Sequence, residues 1–242
     1  MKDHYPPIGV MRSCFKEKFG APRQSLMLDR AWGIIKLNKD KDYLAAVEQL
    51  DSFSHIWVLF VFHSRGEGAW RPKITPPRIE LENRVGVFSS RSPHRPNPIG
   101  MSAVKLDRID RSAKDSIEIH CSGVDILDGT PILDIKPYLP YADSIPNANS
   151  GWAGDEIERH SVSFSEESIA WLKKKSGEKF AEQLQLFEQV LSLDPRPTSQ
   201  RKANPIASPM SHGLVFRFRM LDLDIEWKIE QGKIFVQQFI QL

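Results

Sequence analysis

Along most of the first 140 residues apolar and polar positions alternate with a period of two. "IGVMRS" (8–13) alternates weakly. "SIEIHCS" sends Ile117, Ile119 and Cys121 one way and Glu118 and His120 the other. "RVGVFSS" and "SAVKLDRID" read as further strands. "HIWVLFVF" (55–62) is a continuous run of β-branched and aromatic residues, the pattern of a strand buried on both faces. Only "YLAAVEQLDSF" (43–53) departs from this period. Its Leu44, Val47 and Leu50 recur at helical spacing and predict a helix. Many strands and few helices imply a closed or strongly curved sheet.

The texture changes at "NANSGWAGDEIER" (147–159), which is rich in small and polar residues. Beyond it, Ser163 and Glu166 have capping-box spacing. The helix they would open carries Lys173, Lys174 and Lys175 in its last turn and stops at Gly177. A second helix places Phe180, Leu184, Phe187 and Leu191 on one face and ends at "DPRP". Three alternating strands follow: "LVFRFRML", "DIEWKIE" and "IFVQQFIQL", the last two joined through "EQGK". The expected fold is mainly β: an N-terminal single-sheet β-barrel domain over residues 1–150 and a smaller C-terminal α+β domain over residues 160–242.

The composition removes several classes of function. An apolar fraction of 40% and a charged fraction of 26% over 242 residues fit an ordinary globular chain, not a disordered one. A net charge of +2 is too small to require a nucleic-acid partner, so any basic surface must be local. Cys14 and Cys121 stand far apart, forming neither a disulfide framework nor a zinc pattern, which suits a reducing compartment. "MKDHYPPIGV" lacks the apolar core of a signal peptide, and "IWVLFVF" falls far short of the ~20 residues that span a bilayer. A cytoplasmic location without membrane contact is expected. The histidines form no HxH or HExxH pair, so no metal site is expected. "GEGAW" (66–70) lacks a third glycine at dinucleotide spacing, and no P-loop is present.

Three polar segments remain. "RPKITPPRIELENR" (71–84) is interrupted by prolines and basic at both ends; a solvated loop and a rigid platform for phosphates are both open. "RSPHRPNPIG" (91–100) is stiffer. Each X–Pro step drives the preceding residue toward an extended conformation, so ordering the segment on a ligand costs little entropy. Arg91 and Arg95 can present planar forks to a carboxylate or phosphate, and Asn97 a donor and an acceptor; a purely structural loop is the alternative. In "DILDGTPILDIKPYLPYAD" (125–143), "DGTP" is a turn signal. Asp125, Asp128, Asp134, Asp143 and Lys136 crowd around it with Tyr138 and Tyr141, which suggests a ligand site rather than isolated caps.

These blocks, with "IGVMRSCFKEKFGAPRQ" and "FSHIWVLFVFH", occur in an order that closely resembles the TrmO family from about Ile8 to Ala142. That resemblance implies a β-barrel, S-adenosylmethionine-dependent tRNA methyltransferase. Such enzymes act on N6 of threonylcarbamoyladenosine at position 37, beside the anticodon, as homodimers with the cofactor near the interface. Carried over, the cofactor-binding positions are Pro22, Arg23, Gln24, His63, Ser64 (through its backbone), Arg91, Met101, Asp125, Ile126, Leu127, Asp128, Gly129 and Thr130. Asp128 or Asp134 is the candidate base, with the substrate's own threonyl carboxylate as a rival. Arg95, Asn97, Lys136 and Tyr138 are candidates for substrate binding. The C-terminal unit resembles the extra domain of longer bacterial members in outline. Its Arg196, Arg201 and Lys202, in a mobile proline-flanked loop, and Arg217 and Arg219, on one strand face, are candidates for tRNA phosphates or plain surface charges. The alternative function is a non-catalytic RNA-loop binding module, or a methyltransferase acting on unmodified adenine.

Overall fold

The structure is a computed structural model that describes residues 5–39, 41–64, 70–77, 83–113, 116–154 and 156–242. The glycine pair of "GEGAW" and residues 78–82 of the proline-interrupted segment lie outside the described residues. The elements are β1 (Gly9–Ser13), β2 (Trp32–Leu37), α1 (Tyr43–Ala46), β3 (His55–Val61), β4 (Lys73–Ile74), β5 (Val85–Gly86) and β6 (Ile99–Asp110). There follow β7 (Glu118–Ser122), β8 (Pro131–Pro137), α2 (Pro140–Asp143), β9 (Val162–Phe164), α3 (Glu166–Ser176), α4 (Phe180–Ser192), α5 (Thr198–Ala203), β10 (Val215–Met220), β11 (Leu223–Glu230) and β12 (Lys233–Gln241).

Six strands close a barrel in the order β1-β2-β7-β6-β3-β8, and pairing of Ile132 in β8 with Gly9 in β1 completes it. Met11, Ile35, Ile56, Val58, Val104, Ile119 and Ile132 are among its buried residues. A second sheet has the order β10-β11-β12-β9, with β9 parallel to β12. Helices α3 and α4 pack on it, and Leu172, Phe187, Leu191, Ile225, Trp227 and Phe239 are buried there. The molecule is therefore mainly β, with a barrel in the N-terminal part and a smaller α+β region after it.

By compactness the chain divides into two units, and not at one point. One comprises residues 1–12, 33–122 and 129–156; the other 13–32, 123–128 and 157–242. The second thus draws two segments, 13–32 and 123–128, from the part of the sequence that otherwise forms the first. Within it, Cys14 O accepts from Leu221 N at 3.1 Å and Glu17 Oε1 from Arg219 N at 2.8 Å. Arg159 donates to Met27 O at 2.7 Å. Gly20 has φ +93°, and a Cβ there would lie 2.9 Å from the Phe218 ring, so the segment needs glycine on both counts.

Several local expectations are corrected. β3 is not buried on both faces: Ile56, Val58 and Phe60 are buried, while Trp57, Leu59 and Val61 are half-buried. The predicted helix over 43–53 is a single turn, α1, because Gln49 adopts a left-handed conformation (φ 61°) before a 3₁₀ turn at Leu50–Ser52. "RVGVFSS" yields only two strand residues before a 3₁₀ turn, Val87–Ser89. Ser163 caps nothing, since it is drawn into β9 opposite Phe235. The cap of α3 is Ser165, whose side chain accepts from Ser168 N at 3.0 Å. Gly177 does end α3, at φ 55°. The buried face of α4 is Leu186, Phe187, Val190 and Leu191 rather than one including Phe180 and Leu184. Residues 198–203 form α5 rather than a loop.

Candidate functional site

The proline-rich segment leads directly into β6. Phe62 N donates to Pro98 O at 2.8 Å and Ile99 pairs with Val61, so the segment arrives beside the exposed His63 and Ser64, which follow β3. Its closing glycine has a steric reason. A Cβ on Gly100 would lie 2.3 Å from the ring of Phe60, which fills the barrel at that level. Arg71 N donates to His94 O at 3.2 Å, joining the 70–77 stretch to the segment.

Arg95 holds this arrangement from within. Its guanidinium donates to Ser90 O at 2.7 Å and Val87 O at 3.2 Å, at the end of the Val87–Ser89 turn, and lies 5.7 Å over the Phe88 ring. Around it opens a shallow cleft of about 300 Å³ lined by Phe88, Arg95, Pro96, Asn97 and Ile99. Phe88 is 75% exposed, which places a bare aromatic ring at the mouth. Sequence reasoning missed Phe88 because it lies in what looked like a strand. Arg91 is exposed on the same segment.

Met101 is exposed on the outer face of β6. It is in register with Leu59 of β3, which in turn faces Asp134 of β8. Two strand spacings separate Met101 from Asp134, about 10 Å. Asp134 Oδ1 accepts from Ile135 N at 2.9 Å and Oδ2 pairs with Lys136 at 2.8 Å, a bond that raises the lysine's pKa. Tyr138 packs on Trp57 with ring centroids 5.6 Å apart, and its N–H donates to His55 O. It is thus level with the start of β3, eight residues before His63, or about 25 Å at ~3.3 Å per residue. Within one chain, Tyr138 does not join Arg91, Arg95 and His63, and Lys136, in register with Trp57, lies six residues, or ~20 Å, along β3 from His63.

Of the other expected positions, Pro22–Gln24 and Asp125–Asp128 belong to the second compact unit, and Gly129 and Thr130 to the first. Asp128 is engaged at both oxygens: Oδ1 accepts from Ser13 N at 3.0 Å and Oδ2 pairs with Lys16 at 2.9 Å. Ser13 Oγ donates to Ile126 O at 2.7 Å, and the Ile126 side chain is buried. Asp125 and Leu127 are half-buried. Gly129 follows at φ +78°, which explains the glycine of "DGTP", and Thr130 is buried. Pro22 is buried, Gln24 half-buried and Arg23 exposed. The Arg23 side chain reaches solvent from protein-rich surroundings. Burial, and then the charge of Arg201, bring its pKa down to about 10.

Arg196 is not a surface charge. It is 3% exposed, forms a bidentate pair with Asp194 (both bonds 2.7 Å), and lies 4.7 Å over Phe216 and 5.7 Å over Trp227. Arg217 and Arg219 do share the outer face of β10, but Arg217 is paired with Glu226. Among the described residues no group of acidic, histidine and cysteine side chains has the arrangement of a metal site.

Residues 10–144 match the description tRNA-methyltransferase O N-terminal domain, and residues 157–241 match TrmO C-terminal domain. The tRNA (adenine(37)-N6)-methyltransferase of Escherichia coli is 41% identical over 230 residues, 93% of this chain and 92% of that protein. A putative S-adenosylmethionine-dependent methyltransferase of Pseudomonas aeruginosa is 40% identical over 221 residues, covering 91% and 90%. The crystal structure of TrmO from Pseudomonas aeruginosa superposes with a TM-score of 0.78 at 34% identity, covering 99% of both chains. Two family domains in order and full-length likeness in sequence and structure place this chain in the TrmO family.

Proposed function

We propose that the protein methylates N6 of threonylcarbamoyladenosine at position 37 of tRNA, with S-adenosylmethionine as donor, as a cytoplasmic homodimer. The observation that carries this reading is the cleft beside the braced 91–100 segment. It combines an exposed aromatic ring and apolar Ile99 with an arginine and an amide. A flat base or adenosyl group and a carboxylate are the chemistry that such a lining suits. No described helix is long and apolar enough to cross a membrane.

S-adenosylmethionine supplies a methyl group already activated on a sulfonium for in-line displacement. In the barrel unit, His63, Ser64 through its backbone, Arg91 and Met101 are the positions that would hold it. The chain then has to place the acceptor at attack distance, where pre-organisation is worth most. N6 is a poor nucleophile, because its lone pair is delocalised into the purine and the neighbouring carbonyl. Removing its proton is the protein's second task. Asp134 suits this better than Asp128. Both carboxylates accept from a backbone N–H on one oxygen and pair with a lysine on the other, but the Asp134 side chain is 45% exposed and the Asp128 side chain 19%. Arg95 and Asn97, at the cleft, are placed for the threonyl carboxylate. An anticodon loop already exposes single-stranded bases, so presenting the target costs little.

A homodimer accounts for the split of the substrate residues. Tyr138 sits ~25 Å and Lys136, in register with Trp57, ~20 Å along β3 from His63, and a second copy can supply them to the other's cleft. The exposed Phe88, Ile99 and Met101 give such a copy an apolar surface to cover.

The test is methyl transfer to tRNA with and without the threonylcarbamoyl group, beside calorimetry with S-adenosylmethionine. Saturable cofactor binding and methylation of only the modified tRNA are expected. Equal methylation of both would move the substrate to unmodified adenine, and binding of tRNA without any cofactor binding would leave an RNA-loop binding module.

A further inference from the structure

After β8 the chain is exposed at every residue from Pro140 to Trp152. Tyr141 is 86% and Ile145 71% exposed, so burial in the core does not fix the course of this segment. Several of its hydrogen bonds are local. Ser144 N donates to Pro140 O at 3.2 Å, Ala148 N to Ile145 O at 3.1 Å, and Gly151 N to Asn149 Oδ1 at 2.7 Å. Trp152 reaches much further. Its indole N–H donates to Ser89 O at 2.9 Å, across 63 positions of sequence and within the barrel unit. Trp152 also lies between the two family-matched regions, 10–144 and 157–241, and belongs to neither.

Ser89 ends the turn that frames the cleft. Val87 O accepts from Ser90 N at 3.2 Å, Ser90 Oγ at 2.8 Å and Arg95 at 3.2 Å, and Ser90 O accepts from Arg95 at 2.7 Å. Arg95 and Trp152 therefore hold three carbonyls around Phe88: those of Val87, Ser89 and Ser90. Phe88 is 75% exposed, so its ring gains little from packing and its place at the mouth follows from its backbone. The Trp152 bond is itself exposed. In the free protein water competes with it, and its net contribution is small. A ligand resting on Phe88 keeps water from the adjoining Ser89 carbonyl, where a hydrogen bond becomes stronger. The bond thus counts most when the cleft is occupied.

We propose that Trp152 is a positioning residue for substrate recognition: by holding Ser89 O it keeps Phe88 and Arg95 set for the modified adenosine, without touching the substrate itself. The proposal rests on the cleft reading above and deepens it, because it assigns a residue of the connecting segment to the specificity of that site.

The test compares full-length Trp152→Phe, Trp152→Ala and Phe88→Ala with wild type. Each is followed by steady-state methyl transfer to threonylcarbamoylated tRNA at saturating S-adenosylmethionine, and by Tm. Trp152→Phe keeps a ring and loses the N–H. It is expected to raise KM for the tRNA ~2–10-fold, the factor matching one hydrogen bond, with kcat held within about twofold, because the bond sets groups that bind rather than groups that react. Tm should stay within ~2 °C, as for other exposed substitutions. Trp152→Ala should match Trp152→Phe. Wild-type KM in Trp152→Phe overturns the proposal, also where Trp152→Ala alone is impaired, since the ring and not the N–H would then be the working part. A lower Tm and kcat at unchanged KM overturns it too, by making Trp152 a support of the fold. If Phe88→Ala raises KM and Trp152→Phe does not, the cleft reading stands and the role of Trp152 falls. If Phe88→Ala keeps the wild-type KM, the cleft reading fails and takes the proposal with it.

Discussion

Two proline-bracketed, arginine-bearing segments, one in each unit, are built differently. "RSPHRPNPIG" turns Arg95 onto carbonyl oxygens of a 3₁₀ turn and lays it over one exposed ring. "DPRPTSQRKANP" turns Arg196 onto a carboxylate two residues back and covers it with two aromatic residues of the sheet. The first remains in an open cleft, and the second disappears into a core. The difference lies in the partner. A carbonyl dipole fixes the geometry of an arginine without neutralising it, whereas a buried carboxylate cancels its charge. Pairs of this kind that stay wet can serve chemistry; dry ones serve architecture.

The comparison can be broken most forcefully at Asp194. Asp194→Ala leaves the Arg196 charge buried without its partner and should cost ~3–5 kcal/mol. That corresponds to a fall in Tm on the order of 10 °C, read by calorimetry or circular dichroism. Gly100→Ala should cost less, ~1–3 kcal/mol of overpacking against Phe60, and its denaturant midpoint should fall accordingly. Arg95→Ala removes two charge-assisted bonds in a half-exposed setting, so ~1–2 kcal/mol is expected. Its larger effect should be on kcat/KM for modified tRNA.

The cysteines sharpen the same contrast, since each unit buries one, Cys121 in the barrel and Cys14 in the other. Burial pushes both thiols up to about 12. A raised acid keeps its proton in the folded state where the unfolded chain has lost it. Stability should therefore decline as pH rises from about 9, the ordinary thiol value, toward 12. At pH 8 neither thiol should react with a thiol reagent in the native protein. In Asp194→Ala, Cys14 should become reactive before Cys121, and a Cys14→Ala control should remove that early signal.

The sequence made strands legible where alternation is strict, as in β7, β10 and β11. It hid β2 and β8. "WGIIKL" sits in an irregular stretch, and "PILDIKP" carries Asp134 and Lys136, which read as site chemistry before they read as a strand. They lie on the strand all the same, on the outer face of the barrel, where polar groups alternate with the buried ones. The run at 55–61 looked doubly buried because Trp57 and Leu59 are apolar on the outer face. The helix at 43–53 failed at Gln49, whose left-handed turn has no composition signal. The candidate site was legible as motifs but not as geometry. Period and spacing cannot tell that Arg95 points at Ser90 and Val87, that Arg196 is buried, or that residues 13–32 pack with the C-terminal unit. All three depend on partners far away in sequence or on side-chain direction.

The central claim is that the barrel's outer face performs methyl transfer and that the C-terminal α+β region takes no part in that chemistry. Single-turnover methyl transfer, with enzyme, cofactor and threonylcarbamoylated tRNA all saturating, tests it most directly in wild type, Asp134→Asn and Arg201→Gln. Saturation removes differences in binding and leaves those in chemistry. Asp134→Asn should remain slower by ~10²–10⁴, the usual range for a lost general base, while Arg201→Gln should return to the wild-type rate. A wild-type rate in Asp134→Asn, or a defect in Arg201→Gln that saturation does not lift, would contradict the account.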